Sequence, residues 1–544
     1  MHHKKKMMLI NVIVLLLAAA LSACSANGTK DAGAQSGAPA TAGTAAQPPA
    51  ASPPGAPATA GTAGGAADDA DPPASEINLP PDLRAILEKT FTGDFDDLVK
   101  RRVIRCGVTY NRTFYFVDQG VQRGLAYEYL QIFEDELNKQ LKTGNLEVHV
   151  VPIPMRRDAL LPALKDGKLD MVVAGVTITP ERQAIVDFSN PTRRGVNEVV
   201  VTGPGAPTFS TIEDLSGHEV FARKSSSYYQ SLVDLNKRFE QQGRTPVDIE
   251  VLSESLEDDD VLEMVNAGLI PATVMDDYFA DFWKKVFTDL NVYDTLVLRR
   301  DGDLAVAIRK NSPKLAAELN GLIAKHSLNN TLGAILNKRY LVSTKYAKNA
   351  TSDAERKKFQ GMVTLFKQYG DRYKFDYLLM AAQGFQESGL DQSAKSHVGA
   401  VGVMQLMPAT GREQKVGDIT KLEPNIHAGV KYMRFMRDEY FQDQPMTDLD
   451  KGLFTFASYN AGPGRIRQLR REALRRGLNP NVWFGNVEQV ASEKIGRETV
   501  TYVSNIYKYY LAYRLIVEEN ARRRDAKVAM TAGKKNVAAT AGKK

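Results

Sequence analysis

The sequence predicts an α/β domain followed by a mainly α-helical domain, and two observations support this order. From about residue 98 to residue 342, apolar strand-like runs alternate with stretches of helical periodicity, which is typical of α/β domains. From residue 355 to residue 519 the apolar pattern is helical throughout. A chain of 544 residues has room for both domains and for further segments outside them.

The charge distribution argues against a nucleic-acid-binding core. The chain has 70 Lys and Arg against 64 Asp and Glu, a formal net charge of +6. The first 23 residues carry three lysines and residues 520–544 carry a net charge of +7, which leaves residues 24–519 at −4. A net negative charge over residues 24–519 does not favour binding to nucleic acid. The end at 520–544 is predicted to be a basic, disordered tail, with contact to anionic lipid or wall polymer as the alternative.

The N-terminus is predicted to be an export signal that ends at a lipid site. Residues 1–23 have a basic start, an apolar stretch that is short for a membrane span, and then small residues. The run Leu21-Ser22-Ala23-Cys24 resembles the bacterial lipobox, which implies cleavage before Cys24 and its acylation. An ordinary cleaved signal is the alternative. Ser25 resembles the following residue of outer-membrane lipoproteins, so we expect a lipid anchor on the periplasmic side of that membrane.

The segment at 24–80 is predicted to be a disordered tether. Residues 25–80 hold 18 Ala, 9 Pro and 8 Gly and no aromatic residue, so they have nothing to bury. Of the two cysteines, Cys106 lies in an apolar strand-like run and is predicted to be a buried, unreactive thiol. Two cysteines cannot make a disulfide framework.

The α/β domain has clear local signals. Apolar runs at 103–110 and 146–152 predict strands, and residues 124–141 between them predict a helix. A second helix is predicted to turn at Gly167 before a buried strand. Thr179-Pro180-Glu181 then has the cap, the first-turn proline and the acidic residue that open a helix.

The run from 161 to 182 and the following Asp187-Phe188-Ser189-Asn190-Pro191 resemble the family 3 periplasmic solute-binding proteins, and so do 214–222 and 304–310. The resemblance implies a two-lobed, periplasmic-binding-protein-like domain over residues 81–342, with a small ligand such as an amino acid or a muropeptide. It also implies that a ligand carboxylate is held from the first lobe, that a second lobe adds contacts, and that an ammonium group is held by an acid. The corresponding residues are Gly175, Thr177 and Arg182, then Ser225 and Ser227, then Asp276.

Some positions depart from that family. Arg157 lies where these receptors usually place an aromatic side chain on the ligand, and Tyr228 lies where they have glycine. Residues 110–114 contain no clear counterpart of the family's acidic ammonium ligand. Taken alone, Arg182 would be an ordinary surface arginine. The two-lobed fold is therefore expected, and the identity of the ligand stays open.

The helical region carries four motifs in order. They are Glu387-Ser388-Gly389 with residues 396–410, Asn425 to Tyr432, Ala457 to Gly464, and Glu498 to Val503. Together they resemble the soluble lytic transglycosylase domain, which is related to goose-type lysozyme. The resemblance implies a lysozyme-like domain over residues 365–519, reached through a connector at 343–364.

Glu387 is the candidate catalytic acid. Cleavage of a glycosidic bond needs an acid that keeps its proton near neutral pH. Glu387 ends an apolar helix, and both burial and the negative helix end disfavour its ionised form. Most glycosidases use a second carboxylate, yet no acidic residue follows Glu387 in its motif before Asp391.

The resemblance implies a reaction that needs only one carboxylate. Glu387 would protonate the bond between N-acetylmuramic acid and N-acetylglucosamine in peptidoglycan, with help from the substrate's acetamido group. It would then take the proton of the muramoyl 6-hydroxyl, which gives a 1,6-anhydromuramoyl end. By the same resemblance, Ser396 and Gln405 would hydrogen-bond the acetamido or acid region, and Met404 and Met407 would form the wall of the substrate groove. Tyr459 and Asn460 would orient Glu387 and the substrate, and Glu498 would lie near the groove floor.

Two other functions stay open at this point. One is a goose-type hydrolase that uses water, and the other is a solute receptor or wall-binding scaffold with an inactive catalytic domain. None of the seven histidines has metal-ligand spacing, so neither a metal site nor a cofactor is expected.

Overall fold

The computed structural model describes residues 89–541, except 119, 327–330, 350–352 and 443. The predicted signal at 1–23, the lipidation site Cys24 and the tether at 24–80 lie outside the described residues. Among the helices that the structure describes, none has the length and apolarity needed to cross a bilayer.

The first domain alternates strands and helices, as the sequence predicts. Its strands are β1 (Val103–Val108), β2 (Phe116–Asp118), β3 (Val121–Arg123), β4 (His149–Pro154), β5 (Met171–Thr177), β6 (Asp187–Phe188), β7 (Arg193–Thr202), β8 (Glu219–Arg223), β9 (Asp248–Leu252), β10 (Ala272–Asp276) and β11 (Asn291–Ile308). Its helices are α1 (Phe95–Arg101), α2 (Leu125–Leu141), α3 (Arg157–Lys165), α4 (Pro180–Ile185), α5 (Ser227–Gln241), α6 (Asp258–Asn266), α7 (Asp277–Lys284), α8 (Pro313–Lys325) and α9 (Thr331–Asn337), with a 3₁₀ turn at Ile212–Leu215 and a π-helical turn at Lys338–Val342.

The strands form two lobes that share a pair of long strands. The order across the sheet is β4-β1-β5-β11-β7-β10-β8-β9. We call the part with β1, β4 and β5 lobe 1 and the part with β8, β9 and β10 lobe 2. Within each lobe these strands pair in parallel, whereas β11 pairs antiparallel with β5 on one side and β7 on the other. Each lobe has its own apolar core.

Local signals in this domain give the expected structure. Gly167 has a φ of 72°, and a Cβ there would lie 2.8 Å from the carbonyl oxygen of Phe91, so the turn requires glycine. Thr179 caps α4 by accepting a hydrogen bond from the Arg182 N–H, with Pro180 in the first turn. Cys106 is fully buried, and burial raises the pKa of its thiol.

The second domain is helical. Its helices, with those of the connector, are α10 (Lys345–Asn349), α11 (Asp353–Tyr373), α12 (Tyr377–Ser388), α13 (Pro408–Gln414), α14 (Leu422–Phe441), α15 (Asp448–Ala461), α16 (Pro463–Arg475), α17 (Glu488–Lys494) and α18 (Arg497–Ala541), with a π-helical turn at Trp483–Val487. Helix α12 lies in the core of this domain, since all of its residues from Tyr377 to Gly384 are buried. The other helices pack around it and position its exposed end.

The C-terminus differs from the prediction. The end at 520–544 was expected to be a basic, disordered tail, but α18 continues through residue 541 and carries the second domain beyond its predicted limit at 519. Arg523 is only 8% exposed and donates from Nε to Asp260 at 2.8 Å and from Nη1 to the carbonyl oxygen of Tyr110 at 2.6 Å. Lys527 pairs with Asp260 at 2.8 Å and with Glu263 at 3.1 Å. The sequence pattern wrongly predicts disorder here, because acidic residues of α6 pair with Arg523 and Lys527 and so balance their charge.

Helix α18 lies along lobe 1 before it reaches lobe 2. Leu511, Ala512, Leu515 and Ile516 belong to the apolar clusters of lobe 1. Polar contacts accompany this packing: Lys508 pairs with Glu134, and Tyr513 Oη donates to the carbonyl oxygen of Gly120 at 2.6 Å. Beside α18, Glu488 of α17 also pairs with Arg102 of lobe 1. Farther along, Ala526 and Met530 pack against the core of lobe 2. One helix thus contacts the catalytic domain and both lobes.

Candidate active site and ligand cleft

Glu387 lies at the C-terminal end of the buried helix α12. Asp376 caps the start of this helix by accepting from the Leu378 N–H at 3.0 Å. At the other end, Gly389 adopts a φ of 65° that stops the helix directly after Glu387 and Ser388. The apolar helix therefore presents a carboxyl group at the point where it leaves the core.

Burial raises the pKa of Glu387 to about 7, and a hydrogen bond from Tyr502 opposes this effect. Tyr502 Oη donates to Glu387 Oε1 at 2.5 Å. No other carboxyl group in the part of the chain that the structure describes contributes to this pKa. Near neutral pH, Glu387 can therefore both hold and release a proton, which general acid and base catalysis requires.

The loop at 396–407 is fixed beside Glu387 by a buried amide. Asn425 Oδ1 accepts from the Met404 N–H at 2.8 Å, and its Nδ2 donates to the carbonyl oxygens of Val401 and Ile419, each at 2.9 Å. Gly402 has a φ of 79°, and a Cβ there would lie 2.3 Å from Asn425 Nδ2. Only glycine fits this close approach.

The third and fourth motifs meet at the same place. Tyr459 Oη donates to the Met404 carbonyl oxygen at 2.7 Å, and burial together with the nearby charge of Glu387 raises the pKa of Tyr459 well above its usual value. Asn460 Oδ1 accepts from Thr499 Oγ1 at 2.6 Å. The structure therefore brings Glu387, Tyr459 and Asn460 together with the start of α18.

Of the other predicted substrate residues, two hold the loop at 396–407 and two are exposed. Ser396 Oγ accepts from the Ala400 N–H at 3.0 Å, and Gln405 Nε2 donates to the Gly402 carbonyl oxygen at 2.9 Å, so both side chains also hold the loop. Met407 is 43% exposed and Glu498 is exposed in the first turn of α18.

Met404 differs from its predicted place in the groove wall. Its side chain is fully buried and packs against Gly429, where a Cβ would lie 2.6 Å from Met404 Cγ. The side chain belongs to the core, and only the backbone carbonyl, which accepts from Tyr459, serves the site.

A second concave site lies between the two lobes. It is a cavity of about 250 Å³. Its lining contains the six residues that the sequence predicts for the ligand site: Gly175, Thr177, Arg182, Ser225, Ser227 and Asp276.

Two ionisable groups of this cavity have no counter-ion among the described residues. Arg182 donates to the carbonyl oxygens of Thr177 at 2.9 Å and Ser225 at 3.1 Å, and burial, with the nearby charge of Arg157, lowers its pKa to about 10. Asp276 is buried, and burial, with the charges of Glu198 and Asp258, raises its pKa well above its usual value. The cavity thus offers one cation and one carboxyl group without ionic partners inside the protein.

The departures at Arg157 and Tyr228 have structural roles. Arg157 of lobe 1 pairs with Glu257 of lobe 2 at 2.8 Å and donates to the carbonyl oxygen of Ala174 at 2.7 Å. Tyr228 Oη accepts from the Asp276 N–H at 3.3 Å. Arg157 therefore links the lobes in the cleft.

Comparison with known proteins separates the chain into the same two parts. A family model described as bacterial extracellular solute-binding proteins, family 3, matches residues 104–341, and one described as the transglycosylase SLT domain matches residues 364–479. A protein of Desulfosudis oleivorans named membrane-bound lytic murein transglycosylase F is 28% identical over 423 residues, covering 74% of this chain and 87% of the relative. A protein of the same name from Pseudomonas fluorescens is 27% identical over 75% of this chain and 84% of the relative.

The chain combines a family 3 solute-binding domain with a transglycosylase SLT domain, and it is similar over about three quarters of its length to proteins named membrane-bound lytic murein transglycosylase F. Its two-lobed α/β domain and its helical SLT domain account for both matches. Among solved structures, an ancestral amino acid-binding protein, AncCDT-1, is 25% identical over 45% of this chain and 98% of that chain, with a TM-score of 0.37. An ancestral arginine-binding protein bound to arginine is 23% identical over 44% of this chain and 98% of that chain, with a TM-score of 0.36.

The sequence alone does not identify Tyr502 as a site residue. Its motif was recognised, but the motif alone does not show that the hydroxyl reaches Glu387, which lies 115 positions earlier. The sequence alone also does not single out Tyr432 and Phe435 of α14. The Tyr432 ring packs against Tyr459, with 5.8 Å between the ring centroids, and it also stacks with Phe435, which is 53% exposed. Helical spacing was the available signal, but it does not show which face borders the groove.

Glu387→Gln is expected to remove a pH-dependent cost to stability. The carboxyl has a pKa of about 7 in the folded protein against 4.5 as its ordinary value, so its contribution is complete below pH 4.5 and is lost as the pH rises to 7. The loss amounts to about 3 kcal/mol. Urea unfolding at pH 4.5 and pH 8 should show wild type losing this much more stability than the variant. Glu439→Gln, which changes an exposed carboxyl, should behave as wild type; equal pH dependence in Glu387→Gln would contradict the expectation.

Proposed function

We propose that the chain cleaves peptidoglycan between N-acetylmuramic acid and N-acetylglucosamine without water, with Glu387 as the single acid and base. The observation that carries this proposal is a carboxyl group at the end of the buried helix α12 that accepts from Tyr502, with a pKa of about 7 to which no second carboxyl group among the described residues contributes. An inverting hydrolase needs a second carboxylate to activate water, and a retaining one needs it as nucleophile. A reaction that uses a hydroxyl of the substrate itself needs neither.

The two proton transfers follow from the hydrogen bonds of Glu387. The protonated carboxyl gives its proton to the glycosidic oxygen as the bond to the muramoyl C1 breaks, and the acetamido group of the substrate stabilises the resulting centre. The carboxylate left behind accepts a hydrogen bond from Tyr502, which stabilises it. It then takes the proton of the muramoyl 6-hydroxyl as that oxygen bonds to C1, so the enzyme returns to its starting state.

Neighbouring residues would position the glycan strand. Asn460 uses Oδ1 for Thr499, which directs its Nδ2 donors elsewhere, and we assign them to substrate. Ser396 and Gln405 would contact the acetamido region, while Met407 would form part of the exposed wall. Glu498, exposed at the start of α18, would lie at the edge of the groove.

The cleft between the lobes would bind a small zwitterion. Arg182 would pair with a carboxylate and Asp276 with an ammonium group, because each lacks a counter-ion among the described residues. A cavity of about 250 Å³ suits an amino acid or the end of a muropeptide. Ser225 and Ser227 would add contacts from lobe 2.

Binding in this cleft would regulate the catalytic domain through α18. The helix carries Tyr502 at the active site and Arg523 at the lobes, where Arg523 joins Tyr110 of lobe 1 to Asp260 of lobe 2. A movement of lobe 2 that displaces Asp260 therefore acts on the same helix that holds the hydroxyl beside Glu387.

We further propose that the protein is anchored by lipid at Cys24 to the periplasmic face of the outer membrane, with the segment at 24–80 as a tether. The named relatives are membrane-bound proteins, which agrees with envelope association. Peptidoglycan lies within reach of such an anchor.

Glu387→Gln is expected to lower the release of soluble muropeptides from sacculi by about 10²- to 10⁴-fold, because the acid and base are lost. Mass spectrometry of the wild-type digest should show 1,6-anhydromuramoyl ends. Glu439→Gln is the matched control and should digest as wild type. Reducing muramic ends would favour the hydrolase instead, and full activity of Glu387→Gln would sink the assignment of the acid.

Arg182→Met and Asp276→Asn are each expected to weaken ligand binding by about 10- to 100-fold, because each removes one charged contact. Calorimetry with single amino acids and with purified muropeptides would identify the ligand and measure the loss. Arg194→Met, which changes a 70% exposed arginine of β7, should bind as wild type. Unchanged affinity in both cleft variants would place the ligand elsewhere.

Arg523→Met is expected to abolish the effect of the cleft ligand on turnover while ligand affinity stays within a few fold. The variant removes the buried guanidinium that joins Tyr110 to Asp260, leaves Lys527 as the remaining cation of α18 on Asp260, and touches neither site. Turnover of sacculi with and without saturating ligand measures the coupling. Arg522→Met, the neighbouring and more exposed arginine, serves as the control. A ligand that binds wild type without changing its turnover would disprove regulation.

A further inference from the structure

Gln383 is a buried polar residue in an otherwise apolar helix. It lies on α12 one turn before Glu387 and is 0% exposed. Its Nε2 donates to Tyr502 Oη at 3.3 Å, and its Oε1 has no hydrogen-bond partner among the described residues. An incompletely satisfied amide in a core destabilises the folded protein, whereas an apolar side chain would carry no such cost. Packing alone does not account for glutamine here.

The amide contacts the hydroxyl group that contacts the catalytic acid. Tyr502 Oη has one proton, and at 2.5 Å from Glu387 Oε1 either oxygen could carry the proton between them. If Glu387 donated to Tyr502, the acid proton would sit on Oε1 and be engaged by Tyr502, so it would not be available to a sugar. If Tyr502 donates, Oε1 accepts and the acid proton sits on Oε2.

Gln383 selects between these two arrangements. Its N–H donates to the oxygen of Tyr502 and occupies an acceptor position there. The hydroxyl of Tyr502 is thereby left to donate, and its acceptor in the structure is Glu387 Oε1. The direction of the chain from Gln383 through Tyr502 to Glu387 is fixed by the amide, because an amide nitrogen can only donate.

We propose that Gln383 is a positioning residue for the transglycosylase reaction: it fixes the direction of the Tyr502 hydroxyl, so that Tyr502 always donates to Glu387 Oε1 and the proton for the leaving group is held on Oε2. The inference rests on the proposed function and deepens it. The arrangement suits both halves of the reaction, since a donor to Oε1 is compatible with the protonated acid and stabilises the carboxylate that follows.

Gln383→Met retains side-chain length and removes the donor. Some molecules then place the acid proton on Oε1, so kcat on a soluble glycan is expected to fall about tenfold while KM changes less than twofold. The carboxylate also loses part of its stabilisation. The alkaline limb of the kcat/KM profile, near pH 7 in wild type, should therefore move upward by roughly half a pH unit.

Tyr502→Phe and the double variant show whether Gln383 acts through Tyr502. Tyr502→Phe should move the alkaline limb upward at least as far as Gln383→Met does. Adding Gln383→Met to Tyr502→Phe should change neither kcat nor the limb further. Gln414→Met, which removes another buried amide of the same domain, should leave the pH profile unchanged. If Gln383→Met fails to fold, Gln383→Leu provides the same reading.

Two results would overturn the proposal. One is a wild-type pH profile in Gln383→Met, and the other is an equal effect of that substitution in the presence and absence of the Tyr502 hydroxyl. Glu387→Gln in the same assay separates this failure from that of the proposed function. If Glu387→Gln is inactive while Gln383→Met matches Gln414→Met, only the positioning role is lost. If Glu387→Gln retains full activity, the proposed function fails as well.

Discussion

Helix α18 is the constraint on which the arrangement of both sites depends. Its first turns supply Thr499 and Tyr502 to the active site, its middle packs on lobe 1, and Arg523 reaches both lobes. Tyr502 and Arg523 are 21 positions apart, which corresponds to about 30 Å along a helix at 1.5 Å per residue. The same continuous helix therefore contacts Glu387 near one end and lobe 2 near the other.

The contacts along this helix fall into two kinds. Against lobe 1 they combine apolar packing with ion pairs such as that between Lys508 and Glu134, which favours a fixed attachment. Against lobe 2 the polar contacts centre on the acidic start of α6, where Asp260 meets Arg523 and Lys527. Breaking a buried ion pair strands a charge, so lobe 2 cannot leave this position without a cost. A ligand that favours another position of lobe 2 has to supply that free energy.

In the active site, one physical effect dominates. Burial at the end of α12 disfavours the carboxylate form of Glu387 and raises its pKa. The hydrogen bond from the Tyr502 hydroxyl stabilises the carboxylate and offsets part of this rise. The two effects together leave the pKa of Glu387 near neutral pH, where one residue can serve as acid and then as base. In the cleft between the lobes, burial likewise shifts the pKa values of Arg182 and Asp276, and neither group has a counter-ion among the described residues.

The sequence by itself determined the two domains, the helix caps such as Thr179, the acid at the end of α12 and the residues that line the cleft. These features depend on local spacing and on motifs that a linear pattern records. Tertiary structure alone decided that Met404 is in the core, that Tyr502 reaches Glu387, and that the basic end is an ordered helix. The physical reason is sequence separation: Asp260 and Arg523 are 263 positions apart, and only the folded chain shows that the charge of one compensates the other. Without that partner, a run of arginines and lysines among small residues has the pattern of a solvated tail.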